Sequence, residues 1–288
     1  MRNITCTNRV VKSMQKRIIG AFAALARFFW RRLSLAQRAR FIEHAPTLGV
    51  LDWAGGRIQM RVRSYQGWRR LRACATEPHT VAWIEEDFKP GNVLYDIGAS
   101  TGPYALIAAS VTQNQATIYA FEPLAASFAE LLENIVLNKA TSVLPFRVAL
   151  GRASGFTRFS YASFASGTTK HIGLLPPTAL GVRRNLGTGE VCSELMYAWS
   201  LDDFAARALL LPPTHMKIDV DGSEEEVLVG AKRLLLYPTL RVVQVEIRKG
   251  EGGTADAVCA LMRQAGFSLA EKYRDESSRA ADFLFHRT

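Results

Sequence analysis

The chain has 288 residues and a formal net charge of +10, and its 48% hydrophobic, 22% charged composition builds a core and excludes a disordered chain. Its four cysteines (Cys6, Cys74, Cys192 and Cys259) form no C-x-x-C pair, which argues against a zinc site or redox dithiol and fits a reducing compartment. No run of about 18 uncharged apolar residues occurs, so a membrane-spanning helix is not expected.

The charge is unevenly placed. Residues 1–40 carry ten Lys/Arg and no Asp/Glu, whereas residues 41–288 carry 26 of each sign, so the body is neutral. From Lys16 to Leu33 the pattern is helical. At about 100° per residue, Ile18, Ile19, Phe22, Leu25, Phe29, Trp30 and Leu33 gather on one side, with Lys16, Arg17, Arg27, Arg31 and Arg32 on the other. A basic amphipathic helix of this kind suits an anionic membrane surface. A helix packed on the body or on a partner, or a loose tail, accounts for the same pattern. A signal peptide does not, because Arg27 breaks the apolar run. The expected location is cytoplasmic, with peripheral contact at the inner face of a membrane through residues 16–33 as the sharper reading. Three parts are expected: a basic extension over 1–45, a small β-rich lead-in over 46–75, and the main domain over 76–288.

In the lead-in, Arg57-Ile58-Gln59-Met60-Arg61-Val62-Arg63 alternates as a strand with one basic face. Six arginines and no acid lie between Arg57 and Arg72, which fits a solvated face, a nucleic-acid patch or a site for an anionic substrate. Glu77-Pro78-His79-Thr80 opens a helix that runs to about Asp87 and stops at Lys89-Pro90-Gly91.

A buried strand follows over Val93–Ile97, then a glycine-marked turn with Gly98 and Gly102, then a helix starting at Pro103, where the missing N–H costs nothing. Such a unit aims backbone N–H groups and a helix dipole at whatever lies above the sheet. Asp96, at the strand's carboxyl end, changes the preference. A carboxylate there repels phosphate and attracts an ammonium or a hydroxyl. The spacing D-x-G-x-x-x-G is neither a dinucleotide fingerprint nor a phosphate loop, and a zwitterionic, cationic cofactor fits it better. Thr117–Phe121 reads as a second buried strand ending on Glu122, which lies 24 residues after Gly98, where an acid commonly holds ribose hydroxyls.

Leu124–Asn138 reads as a helix and Val143–Gly151 as a third strand with its turn. Thr157–Tyr161 and Met196–Trp199 read as paired strands. The polar stretch between them, holding Lys170, His171, Arg183 and Arg184, is expected to be a substrate lid or binding loop. Thr214–Asp219 reads as a strand with Lys217, Asp219 and Asp221 on one face, followed by a helix in which Ser223 and Glu226 have capping-box spacing. Arg241–Ile247 is a further strand with Glu246 near its end. A helix over about Thr254–Gln264 and two strands, Gly266–Glu271 and Ala281–His286, close the chain as a terminal hairpin.

Three stretches resemble the FkbM family of class I S-adenosylmethionine-dependent methyltransferases: Tyr95-Asp96-Ile97-Gly98-Ala99-Ser100-Thr101-Gly102, Phe121-Glu122-Pro123, and Lys217-Ile218-Asp219-Val220-Asp221-Gly222-Ser223-Glu224. Glu77-Pro78, Asn134 with Asn138, Val148-Ala149-Leu150-Gly151 and Leu201-Asp202-Asp203-Phe204 fall where that family's landmarks do. The resemblance covers about residues 75–288. It implies an α/β, Rossmann-like seven-stranded, mostly parallel sheet with a C-terminal antiparallel hairpin and helices on both faces, here with an N-terminal helical extension. It implies S-adenosyl-L-methionine as cofactor and methyl transfer, usually to a hydroxyl oxygen. Gly98, Ala99, Ser100 and Gly102 would shape the loop around the methionine part, beside Tyr104, with Asp96 facing the ammonium side. Glu122 would hold the ribose, Ala149 and Leu150 would lie near the adenine, and Asp219 would border the sulfonium. The family commonly has Asn where Ser100 stands and Glu where Asp221 stands.

A hydroxyl acceptor needs a base. The candidates are Asp219, Asp221 and Glu246, with Lys217 orienting a carboxylate or an anionic part of the substrate; a divalent metal such as Mg²⁺ bridging those acids is the lesser reading, and no metal ligand set is assigned. The expected acceptor is a hydroxyl on a small molecule, sugar or glycan. An RNA methyltransferase gripping through the basic N-terminal region is the alternative, disfavoured because the acidic Asp219–Asp221 loop is a poor neighbour for phosphates.

Overall fold

A computed structural model describes residues 25–44, 47–161, 171–175, 192–220, 222–248, 255–274 and 280–288. Residues 1–47 and 48–288 form two separate units. In the first, residues 25–32 are helical (α1) and α2 spans Leu35–His44. Ser34 Oγ accepts from Gln37 N at 3.2 Å and Gln37 Oε1 accepts from Ser34 N at 2.8 Å, a reciprocal cap that starts α2. Leu25, Phe28, Phe29, Phe41 and Ile42 are exposed. The expected Lys16–Leu33 helix is thus described from residue 25 onward. No helix among the described residues is long and apolar enough to cross a membrane.

The second unit begins with strands β1 (Leu48–Val50) and β2 (Gln59–Arg61), then short helices α3 (Tyr65–Arg70) and α4 (Ala73–Thr76). Alternation suggested a longer strand here, but the arginine-rich run is half helical. Ser64 caps α3, its hydroxyl accepting from Gly67 N. The Asp52 carboxylate accepts from Cys74 N and Ala75 N, both at 3.0 Å, and so caps α4 from a distance.

The chain continues through α5 (Pro78–Asp87), β3 (Val93–Ile97), α6 (Pro103–Val111), β4 (Thr117–Phe121), α7 (Ala125–Leu137) and β5 (Val143–Phe146). Next come β6 (Ala149–Leu150), β7 (Gly155–Tyr161), β8 (His171–Leu175), β9 (Cys192–Trp199), α8 (Leu201–Arg207), β10 (His215–Ile218) and α9 (Glu224–Val229). The last elements are β11 (Val242–Arg248), α10 (Ala255–Gln264), β12 (Phe267–Arg274) and β13 (Ala280–Arg287).

Seven strands form the main sheet in the order β12-β13-β11-β10-β3-β4-β5. The five from β11 to β5 are parallel, and β13 runs antiparallel between β11 and β12, so the expected architecture and hairpin are present. Residues such as Leu94, Ile118 and Val242 pack under α5, α6 and α7, while Tyr95, Met216 and Val243 pack under α8, α9 and α10. Both faces are therefore covered, as the near-continuous apolar runs of parallel strands require.

Two details differ from expectation. Val143–Leu150 is not one strand. Ala149–Leu150 leaves the main sheet and joins a four-stranded sheet, β6-β9-β7-β8, in which β7 and β9 pair antiparallel as anticipated. The expected capping box at Ser223 also does not form. Glu226 reaches outward to Arg152 through two hydrogen bonds of 2.7 and 2.8 Å, and Glu224 instead turns back to accept from Gly222 N at 2.9 Å.

Candidate active site

The switch from β3 to β10 is where strand order reverses, and ligands of open α/β sheets bind beyond the strand ends there. Asp96 of β3, Lys217 of β10 and Gln244 of β11 stand in one register row across the sheet. All three are buried beneath the α5–α6 layer, so each needs a partner. Gln244 meets the Thr80 hydroxyl at 3.0 Å, the Trp83 indole and Asp282 at 2.9 Å, which fixes α5 against the sheet.

Lys217, only 2% exposed, places its ammonium 3.0 Å from Asp219 Oδ2 and 3.7 Å from Glu77 Oε2, and 4.9 Å from the centre of the Tyr104 ring. Burial pulls down on this ammonium, but Asp219, Glu77 and Asp96 together hold its pKa above the ordinary lysine range. Burial likewise pushes on Asp219, yet Lys217 and Arg70, with hydrogen bonds from Glu246 and Lys217, hold its carboxyl below the usual range. Glu77 is the opposite case. Burial raises its pKa and Lys217 only partly opposes that. Its Oε2 also accepts from the Thr80 hydroxyl at 3.2 Å, and it shares a hydrogen bond with Tyr104.

The glycine loop is held open from beneath. Gly98 (φ +87°) and Gly102 (φ +91°) take conformations that favour glycine, and a Cβ on Gly98 would stand 1.8 Å from the Asp219 carbonyl oxygen. Most of the loop's N–H groups are already used: Gly98 N and Ala99 N donate to Phe121 O, Gly102 N to Ala99 O, and Ser100 N to Glu122 Oε2 at 2.9 Å. Little remains for a phosphate, in line with the sequence reading of Asp96. Glu122, 3% exposed, accepts from Leu124 N with its other oxygen at 2.7 Å. Burial pushes its carboxyl up to about 7 despite those two hydrogen bonds. Each oxygen keeps a second lone pair for a hydroxyl donor.

The expected residues are partly assembled. Asp96, Gly98, Lys217 and Asp219 stand together, and Glu246 joins them through Asp219. Ala149 packs in a cluster with Leu124, two residues beyond Glu122, while Leu150 points into the main core. Asp221, Lys170, Arg183 and Arg184 lie outside the described residues, and of His171 only the strand position is described. Neither Glu77 nor Arg70 was assigned to the site from the sequence: Glu77 reads there as a helix opener and, with Pro78, as a family landmark, and Arg70 as one of six arginines. Among the described residues no group of three or more His, Cys, Asp or Glu is arranged to hold a metal ion. A cavity of about 190 Å³ beside Arg57, Gln113 and Asn138 lies at the far end of α6 and contains none of these side chains.

The loop can be tested for fit to a sulfonium amino-acid nucleoside. Asp96 Oδ2, Ser100 Oγ and Thr101 Oγ1 are buried and have no hydrogen-bond partner within the protein. Burial raises the Asp96 carboxyl to about 6, even with Lys217 nearby. A buried acceptor lacking a donor, two idle hydroxyls and a consumed set of N–H groups suit an ammonium and hydroxyls. They fit the cofactor and disfavour a pyrophosphate.

Comparison with known proteins agrees. A family model described as the methyltransferase FkbM domain matches residues 96–269. The chain is 26% identical over 204 residues to the hexuronic acid methyltransferase AglP of Haloferax volcanii, covering 70% of this chain and 74% of that one. It is 28% identical over 204 residues to the 31-O-demethyl-FK506 methyltransferase FkbM of Streptomyces tacrolimicus, covering 64% and 75%. A crystal structure of methyltransferase FkbM from Methylobacillus flagellatus KT matches with a TM-score of 0.48 at 15% identity, covering 69% of this chain and 44% of that chain.

Proposed function

The chain belongs to the FkbM methyltransferase family, with S-adenosylmethionine as its cofactor, and we propose that it methylates a hydroxyl oxygen of a small molecule, sugar or glycan. The observation that carries this reading is the buried Lys217 with Glu77 and Asp219 beside the Asp96 loop, a set of acids suited to taking a proton from an alcohol. The two relatives, one named for a hexuronic acid and one for an O-demethyl compound, support an oxygen acceptor. Among the described residues of the site nothing favours RNA.

When bound, the cofactor supplies an electrophilic methyl group whose departure leaves a neutral thioether, so the protein mainly provides alignment and a dry site. In this reading Asp96 faces the ammonium, Glu122 takes ribose hydroxyls, and Ser100 and Thr101 supply hydroxyls at the loop. Ala99 and Tyr104 floor the site and Ala149 borders the base. The acceptor's proton passes to a carboxylate. Asp219, held ionised by Lys217, is a weak base and serves to orient. Glu77, whose carboxyl burial raises, is the stronger base candidate, since a base works best with its pKa near the operating pH. Peripheral contact with an anionic membrane through the basic helix is proposed for the first unit.

Calorimetric titration with S-adenosylmethionine tests the cofactor site. The wild type should bind and Glu122→Ala should bind at least about tenfold more weakly, because the substitution removes the ribose partner and releases Ser100 N from the loop. Equal binding by the two proteins would remove Glu122 from the site.

A further inference from the structure

The acid-rich site leaves one part of the cofactor without a charged partner. An ammonium, a sulfonium and ribose hydroxyls all suit the carboxylates of Asp96, Glu122, Asp219 and Glu77. The α-carboxylate does not, since it is repelled by every one of them. The glycine loop brings no charge to it: Gly98, Ala99, Ser100 and Gly102 already spend their N–H groups on Phe121, Glu122 and Ala99, and the idle Ser100 and Thr101 hydroxyls are neutral donors. Lys217 is engaged by Asp219 and Glu77 beneath the α5–α6 layer and is almost wholly buried.

We propose that Arg70, the last residue of α3, holds the α-carboxylate of S-adenosylmethionine, which makes the lead-in segment of residues 48–76 a working wall of the cofactor site. The inference rests on the cofactor-site reading above and extends it to a segment outside the matched family domain.

The seating of the segment places this arginine. Asn134, fully buried in α7, accepts from Arg61 N at 2.7 Å and donates to Thr101 O at 2.9 Å, so one side chain ties β2 to the glycine loop. Asn138 grips Gln59 with both ends of its amide, at 2.9 and 2.7 Å. Gly67 is buried in α3, where a Cβ would come within 3.7 Å of a Glu130 carboxylate oxygen. The Tyr104 hydroxyl, one residue past the helix start that follows the loop, donates to Ala73 O at 3.2 Å, only three residues beyond Arg70. Helix α3 is thereby held between α7, which Gly67 faces, and the Tyr104–Ala73 bond that ties the start of α4 to the first turn of α6. Arg70 is half-buried there, and its positive field reaches Glu77, Tyr104, Glu122 and Asp219, the groups that surround the loop. A guanidinium has five donors in a planar fork, so it can face those acids and still take a carboxylate in two parallel hydrogen bonds.

The test pairs one substitution with one ligand change. Calorimetry would measure binding of S-adenosylmethionine and of decarboxylated S-adenosylmethionine to the wild type, Arg70→Gln and Arg70→Lys. The wild type should prefer the carboxylated ligand. Arg70→Gln should weaken that ligand by about 10- to 100-fold and leave the decarboxylated one unchanged within about twofold, with Arg70→Lys between them. Equal weakening of both ligands, or none of either, would overturn the assignment. Failure of the wild type to bind S-adenosylmethionine would overturn the cofactor-site reading itself, an outcome separable from the first two.

Discussion

Lys217 is the group on which the site's charge balance turns, and Lys217→Met isolates it by keeping side-chain length and removing the ammonium. With its nitrogen 3.0 Å from Asp219 and 3.7 Å from Glu77, each pair contributes a gross attraction of about 5 kcal/mol at an effective dielectric constant of about 20. Desolvation of three charges cancels much of that. What is left when one partner of a buried pair is removed is typically about 3–5 kcal/mol, a large share of the roughly 5–15 kcal/mol that holds a domain folded. The pH dependence separates this cause from simple loss of packing. Asp219, with its pKa lowered, contributes stability present above about pH 4 and lost as pH falls through its folded value. Lys217, with its pKa raised, contributes stability present below about pH 10 and lost as pH rises through its folded value. Between about pH 5.5 and 8 both contributions are therefore constant in the wild type. In the variant, Asp219 and Glu77 must ionise without the buried ammonium, which the half-buried Arg70 only partly replaces, so the native state keeps protons that the unfolded state releases. Urea unfolding followed by circular dichroism should show a loss at least about 1 kcal/mol greater at pH 8 than at pH 5.5, one pKa unit being worth about 1.4 kcal/mol. An equal loss at both pH values would refute the electrostatic account.

Gly98→Ala should abolish measurable cofactor binding in the same calorimetric titration, since the new Cβ meets the Asp219 carbonyl at 1.8 Å in a φ +87° conformation; retained affinity would show that the loop has room to shift. Glu77→Gln should lower kcat about 10²- to 10⁴-fold, with cofactor affinity held within about twofold and the acidic limb of the pH–rate profile flattened, using the best acceptor from a panel of sugars and uronic acids. An unchanged acidic limb would remove Glu77 as the base. Vesicles containing anionic lipid should float the full chain and leave a chain lacking residues 1–40 behind; equal flotation would reject the interfacial helix.

Much of the fold was legible because parallel strands buried on both faces announce themselves as short apolar runs, as Val93–Ile97 and Thr117–Phe121 do, and Gly-Pro at 102–103 marks the helix start. The cofactor loop was legible for the same local reason: Asp96, Gly98 and Gly102 impose their conformation and charge wherever the strand ends. What escaped the sequence depends on contacts between distant segments. Glu77 precedes a proline and looks like a helix opener, and only the row of Asp96, Lys217 and Gln244 beneath α5 gives it a buried cation. Arg70 is indistinguishable from its five neighbouring arginines, because α3 is six residues long and shows no apolar period from which a face could be read. Ser223 and Glu226 have the spacing of a cap, but Arg152, 74 residues away in sequence, competes for Glu226.

Asn134 carries this point furthest. An asparagine in the middle of an amphipathic helix is a poor helix former and a poor core residue, and alone it reads as a surface position. Its amide can engage both its oxygen and its nitrogen only by joining a donor from one side to an acceptor from the other. Here those are Arg61 N of the lead-in and Thr101 O of the glycine loop. Because the side chain is fully buried, neither bond can be exchanged for water, and moving the lead-in would strand a polar group at a cost of about 1–3 kcal/mol. The loop and the lead-in are therefore coupled by necessity. A segment read from its arginines as a basic surface strip becomes, through one buried amide, a fixed neighbour of the cofactor loop.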